Sequence, residues 1–372
     1  MSLKGKLRKK YQYSSLPEIV PVSIKRAIKK LRHPGSNGYG VSYRTNYWVN
    51  DMANFDVDSI DRKGFRSISS ENIRRSISYG TRARKIDEAI QKVVNKNYYR
   101  FEHMLVIKDP FNQAPLTALV IFYSKESCAV RYTVKGKTKQ ADFSQTLKPT
   151  CQHRIPIIGL YAGYENKVEI EILDETGKSI KRRTIVISTK PLPPALEGAV
   201  TVGKHSAPSA HPMTLITAGH NIRTIAFDEF GDIRYYLRRL TKAYGVFPLS
   251  AGKMLYSEKW IDVPSFSVSQ SCFIYDMDYL GRVHKSYLSP HGFHHCAIEK
   301  TPGGNILVGS NTMDGHDEDA VMELDRQTGM PVEFINMRQY FEGSKFDKGS
   351  DWVHVNAVDY QKDSNTLIVS MR

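Results

Sequence analysis

A chain of 372 residues is long enough for two or three domains, each with its own core, and its 41% hydrophobic and 24% charged fractions are those of an ordinary globular protein. The formal charge of +15 raises a nucleic-acid partner, but residues 1–100 hold 22 Lys and Arg against 8 Asp and Glu, a surplus of 14, and the rest of the chain is near neutral. No nucleic acid is therefore expected. The opening "MSLKGKLRKK" is not followed by the apolar run of a secretory signal, and no uninterrupted apolar run is long enough to cross a bilayer, so the expected location is cytoplasmic.

Residues 1–100 are expected to form a basic, partly helical N-terminal extension. "SIKRAIKKLR" puts Ile24, Ile28 and Leu31 on one helical face, with Pro34 and Gly35 as a stop, and "ARKIDEAIQKVV" repeats the pattern with Ile86, Ile90 and Val93. Such an arm has two readings: a solvated extension with docking helices, or a contact with an anionic lipid surface or polyanion.

From about residue 101 the pattern changes to short apolar runs between turn residues. "HMLVIKDP", "APLTALVIFYS", "CAVRYTVKG", "KVEIEILDETGKSI" and "KRRTIVISTKP" read as strands, and Asp174 to Gly177 as a hairpin turn. They predict a β-sandwich over 101–192, closed by the proline-rich linker "STKPLPPALEG".

Beyond the linker the chain repeats. "TIAFDEFGDIRYYL", "CFIYDMDYLGRVHKSYL" and "AVMELDRQTGMPVEFI" share strand, aspartate, glycine turn and strand, and their anchors Asp228, Asp276 and Asp325 are 48 and 49 residues apart. That period predicts β-propeller blades over 193–372. About three blades are countable and a closed propeller needs at least four, so the propeller is expected to be incomplete, and the fold class to be mainly β.

Blades repeat their scaffold and vary the residues at inner strand ends. The candidates there are His294, His295, His354, Asn356 and Arg372, with His220 and Tyr275. On a strand, His354 and Asn356 would share a face, and a hairpin would return Arg372 close to His354. An imidazole beside a guanidinium suits a tetrahedral oxyanion such as sulfate or phosphate. No metal is expected: the adjacent ligands of His294-His295-Cys296 would point to opposite strand faces, and the acidic loop "MDGHDED", 313–319, lacks the terminal Glu of a calcium loop and reads as solvated. The four cysteines have no paired spacing and read as free thiols. No phosphate-cradling glycine loop and no G-x-S-x-G elbow occur, and no cofactor is expected.

On these phrases the chain resembles the bacterial aryl-sulfate sulfotransferases, which work without the nucleotide sulfate donor. "DPFNQAPLTALV" and "IPIIGLYAGYENKVEIEI" are similar to that family's N-terminal sandwich; "GFHHCAIEKTPGGNILV" and "DWVHVNAVDYQKDSNTLIVSMR" are similar to its propeller, originally six-bladed. The resemblance covers about residue 101 to the end. It implies transfer of a sulfuryl group from a phenolic sulfate ester to an acceptor phenol through a sulfohistidine, with His354, Arg372 and His295 in catalytic roles and His294 and Asn356 at the substrate. The family phrase H-x-[AS]-I matches His295, whereas alignment of Ala297 with Ala357 pairs His294 with His354; the phrase favours His295. The family's nucleophilic histidine lies beyond the arginine and has no match here, so the chain is expected to be truncated and inactive alone. The family is often exported, and a homodimer is one open arrangement. The rival expectation is a non-catalytic β-propeller binding module whose basic arm holds a polyanion or a membrane surface.

Overall fold

The computed structural model describes residues 70–203, 211–217, 223–238, 243–258, 271–294, 296–312, 316–341, 343, 349 and 351–372. The "SIKRAIKKLR" helix expected near the start lies outside them.

Helix α1 spans Ser70–Val94. Its spacing puts Ala83, Ile86, Ile90, Val93 and Val94 on one face, where they pack against Leu105, Ile107, Leu119 and Ile121, with Leu280 from a later turn. Asp87 lies between two guanidinium groups, Arg154 at 2.5 Å and Arg282 at 3.0 Å. Arg154 belongs to the first domain and Arg282 to a turn of the second, so this segment of the extension docks across both.

The first domain is built from β1 (Leu105–Lys108), β2 (Ala118–Val134), β3 (Phe143–Ile157), β4 (Glu165–Leu173) and β5 (Ser179–Ser188). Strand β3 pairs along β2, while β1 takes the first part and β4 the last part of the other edge of β2. Register shifts around Cys128 divide the long pair into two leaves. The leaves face each other, because Val106 and Val120 of one share a core with Val168, Ile170 and Ile187 of the other. The β4–β5 turn forms where expected: Asp174 Oδ1 accepts from the Thr176 and Lys178 N–H groups, and Gly177 takes φ +82°.

The second region is a succession of antiparallel meanders. β6 (Thr214–Ile216), β7 (Ile225–Phe227) and β8 (Ile233–Tyr236) form a three-stranded sheet whose Ile225, Ile233 and Tyr236 rest on the first domain's core. Four-stranded sheets follow: β9 (Ala243–Leu249), β10 (Lys253–Glu258), β11 (Ser271–Asp278) and β12 (Val283–Phe293), then β13 (Ala297–Glu299), β14 (Ile306–Ser310), β15 (Ala320–Leu324) and β16 (Pro331–Asn336). The hairpin β17 (Ala357–Gln361) and β18 (Thr366–Ser370) comes last. Neighbouring sheets pack together in chain order. Leu255, Ile274 and Tyr287 meet Ile306, Val308 and Met322, and Leu307 and Val321 meet Val353, Val355 and Val358.

The repeat anchors need one correction. Asp228 Oδ1 accepts from the N–H groups of Phe230 and Asp232, and Asp325 Oδ1 from those of Gln327 and Thr328. In the middle sheet that role belongs to Asp278, which accepts from Leu280 and Arg282, and not to Asp276. Two aspartates stand two apart in "DMD", and the one nearer the glycine reaches the turn. Asp276 is buried and receives Nε and Nη2 of Arg326, whose Nη1 meets Glu299. It binds the two four-stranded sheets to each other.

Candidate functional site

At one end of the last two sheets, six polar side chains form a connected chain. His294 follows the end of β12 and is fully buried; its N–H donates to the Gly309 carbonyl at 2.9 Å, and the Gly309 N–H donates to Cys296 O at 3.0 Å. These bonds clamp the 294–296 segment against β14. The His294 ring places Nε2 2.7 Å from Asn311 Oδ1. That oxygen also accepts the Glu318 N–H at 2.7 Å, so it acts as an acceptor, and Nε2 of His294 carries the proton.

Glu318 is the hub. Its side chain is 1% exposed, with Oε1 3.1 Å from His294 Nδ1 and Oε2 3.0 Å from His354 Nδ1. Its carbonyl accepts from Val355 N–H at 2.8 Å. Glu318 and His354 take φ +53° and +43°, left-handed conformations that cost a non-glycine residue about 1–3 kcal/mol and persist only where the surroundings fix them. Here the carbonyl of Glu318 takes the N–H of Val355, the residue after His354, and the two left-handed residues' side chains approach to 3.0 Å.

The chain then runs outward. His354 Nδ1 is 2.8 Å from Asp351 Oδ1, and Arg372 Nη1 is 3.2 Å from Asp351 Oδ2. The return of the hairpin sets this up, since Arg372 N–H donates to Val353 O at 3.0 Å and Asn356 N–H to Ser370 O at 2.8 Å. Exposure rises along the series, from 0% at His294 to 18% at His354, 25% at Asp351 and 63% at Arg372. The inner members back the site, and the outer three face solvent.

Two neighbours limit the chemistry. Cys296 is buried, which pushes its thiol up to about 12 and keeps it protonated, so it is neither nucleophile nor soft ligand. Asp319 is engaged by Arg338 Nε at 2.9 Å and by the Thr312 hydroxyl. Among the described residues, Glu318, Asp351 and His354 bring one ligand atom each within 4.8 Å of one another, a set a hard divalent cation would use only with three or more further ligands.

The residues expected at the site fall in different places. His354 and Arg372 come together through a shared carboxylate. His294 joins the same cluster from behind, in contact with Glu318 and not at the surface. Asn356 is exposed, and because β17 begins at Ala357 and His354 is left-handed, strand alternation does not carry from 354 to 356. His295 and His220 lie outside the described residues. Tyr275 is buried in the preceding sheet, its hydroxyl on Glu258 at 2.6 Å. The loop expected to be solvated is the main surprise: Asp317, Glu318 and Asp319 are all buried, because the segment turns inward to pair with Asn311, Thr312, Val355 and Arg338. The sequence does carry a signal for this, since three consecutive acids stand between two apolar runs, β14 and β15, at the strand ends where functional residues are sought.

Comparison with known families gives two adjacent matches: an arylsulfotransferase Ig-like domain over residues 105–190 and arylsulfotransferase over residues 199–372. A search of curated proteins gives no match. Among solved structures, similarity is found to an auxiliary nutrient binding protein from Bacteroides ovatus, at 11% identity and a TM-score of 0.27, covering 71% of this chain and 69% of that one. An auxiliary nutrient binding protein from Bacteroides thetaiotaomicron is similar at 10% identity and a TM-score of 0.28, covering 68% and 61%. Likenesses this low carry no argument about function.

Proposed function

We propose that this chain, which belongs to the arylsulfotransferase family, binds a phenolic sulfate ester at His354, Asp351 and Arg372 for transfer of the sulfuryl group to an acceptor phenol. One observation supports this above the others. A single carboxylate, Asp351, takes the His354 imidazole on one oxygen and the Arg372 guanidinium on the other. It spaces two cationic or hydrogen-donating groups at the solvent-facing edge of the site, as the equatorial oxygens of a sulfuryl group require.

In the reaction the bond between sulfur and the donor phenolate oxygen breaks while a bond from sulfur to an imidazole nitrogen forms. In the second step that S–N bond breaks, the acceptor phenol oxygen bonds to sulfur, and the phenol proton is released. His354 and Arg372 hold the sulfuryl oxygens through both steps, with His295 as the third donor, and Asn356 borders the substrate. The sulfohistidine forms on a histidine other than these, one for which the resemblance gives no match in this sequence. The stacked meanders are the blades of a propeller that presents these strand ends together.

The test is titration of the protein with a chromogenic aryl sulfate, with binding measured by calorimetry. Binding that is lost in Arg372→Ala and in His354→Gln supports the assignment. Equal binding by the wild type and both variants removes it.

A further inference from the structure

We propose that Cys128 and Cys151 of the first domain are a peroxide-oxidised thiol pair: Cys128 takes the oxygen of the oxidant, and Cys151 then closes a reversible disulfide across the bulge of β2. The pair lies in the first domain and stands whether or not the last hairpin receives a sulfate ester.

Both thiols are free and half-buried in this structure. Tyr123 of β2 stands opposite Gln152 of β3, and the next paired residue, Cys128, stands opposite Thr150, so residues 124–127 bulge out of the ladder against Cys151 alone. Cys128 is therefore offset from Cys151 by one position across the pair. Strands about 4.8 Å apart that rise about 3.3 Å per residue put such neighbours about 6 Å apart at Cα, inside the range of about 4.4–6.8 Å that a disulfide spans. In a regular ladder, residues offset by one point to opposite faces. Here the bulge brings Cys128 to the face of Cys151, because Cys128 Sγ lies 3.5 Å from Nε2 of His153, which shares a face of β3 with Cys151. Cys151 turns its own thiol to the same bulge and donates to the Lys125 carbonyl at 3.9 Å.

The surroundings of Cys128 suit the attacking thiol. Its S–H donates to Ser124 Oγ at 3.5 Å, and that hydroxyl is 2.9 Å from His153 Nε2 and donates to the Glu126 carbonyl at 2.7 Å. The sulfur thus sits at the edge of a polar cluster that reaches solvent through the exposed residues 125–127, unlike Cys296, which is sealed in the core. As the Cys128 sulfur attacks hydrogen peroxide, an S–O bond forms, the O–O bond breaks, and the leaving hydroxide takes the thiol proton and departs as water. The Cys151 sulfur then attacks the sulfenic sulfur: the S–S bond forms, the S–O bond breaks, and the hydroxyl leaves as a second water with the Cys151 proton. Two electrons pass from the thiols to the peroxide. The new bond ties β2 to β3 at the point where their ladder is interrupted and the two leaves meet.

The test treats the whole folded, reduced chain with hydrogen peroxide, alkylates the remaining thiols and maps the unreduced peptides by mass spectrometry. The expected result is loss of two of the four thiols, a peptide pair joining Cys128 to Cys151, and recovery of both thiols with dithiothreitol. In Cys151→Ser the expected product is a sulfenic acid at Cys128, trapped by dimedone. A wild type in which both thiols stay free, or in which either joins Cys272 or Cys296 instead, would overturn the proposal. So would a bond that forms only in urea, because it would come from the unfolded chain and not from the bulge. The decisive readout is made on the wild type, so a variant that fails to fold leaves the test intact.

Discussion

Gly309 offers a quantitative check on how the site is backed. A Cβ added there would lie 2.7 Å from Cys296 Sγ and 3.3 Å from His294 Cβ. The first is closer than side chains tolerate, and the second leaves the ring that contacts Glu318 little room to retreat. The strain of overfilling such a site is about 1–3 kcal/mol, so Gly309→Ala should destabilise by that amount. Cys296→Ala alone removes one buried sulfur and costs roughly 1 kcal/mol. Combined, the new methyl group occupies the volume the sulfur leaves, so the double variant should be more stable than Gly309→Ala alone, with a coupling of about 1 kcal/mol or more. Urea unfolding of the four proteins measures this, and changes that simply add would refute the packing on which the position of His294 depends.

Other expectations follow from the first domain and the helix. Glu171, its side chain 3% exposed, is held down to about 2, first by its hydrogen bond from Arg131, with Arg182 adding to it. Its folded value lies below the unfolded one, so its stabilisation is present above pH 4.5 and is lost as pH falls toward 2; with partly exposed arginine partners it amounts to about 1–2 kcal/mol. Glu171→Gln should flatten the acid limb of the stability curve in that range. His153, stacked on Phe122 with ring centroids 4.2 Å apart, is lowered by burial from 6.5 to about 4. The unfolded chain takes up that proton first, so stability falls as pH drops from 6.5 to 4, and His153→Phe should remove this slope in equilibrium unfolding. Ile90 is fully buried on the inner face of α1, and Ile90→Ala should cost about 3 kcal/mol by thermal or urea melts. A near-zero cost would mean that the helix does not dock.

Much of the architecture is legible in local sequence. The Asp-to-Gly turn signals, the short apolar runs and the Ile86, Ile90 and Val93 face depend on neighbours within one turn or one hairpin, and those elements form where their spacing places them. His354 and Arg372 are legible for the same reason, being the two ends of one hairpin. Glu318 is not. Its buried position is shared with partners 36 residues ahead and 24 behind, at His354 and His294, and a polar triplet read alone resembles solvated loop. The buried Asp276 escapes a local reading for a related cause: the pairing with Arg326, 50 residues away, and with Lys253 distinguishes it from the turn aspartate two positions on.

The most direct test of the sulfuryl-binding site is a crystal of the chain soaked with 4-nitrophenyl sulfate. The geometry predicts the ester's sulfate group beside Asp351, with its oxygens within hydrogen-bond distance of His354 Nε2 and of the Arg372 guanidinium. An ester seated elsewhere on the chain, with those two groups left without it, would contradict the account.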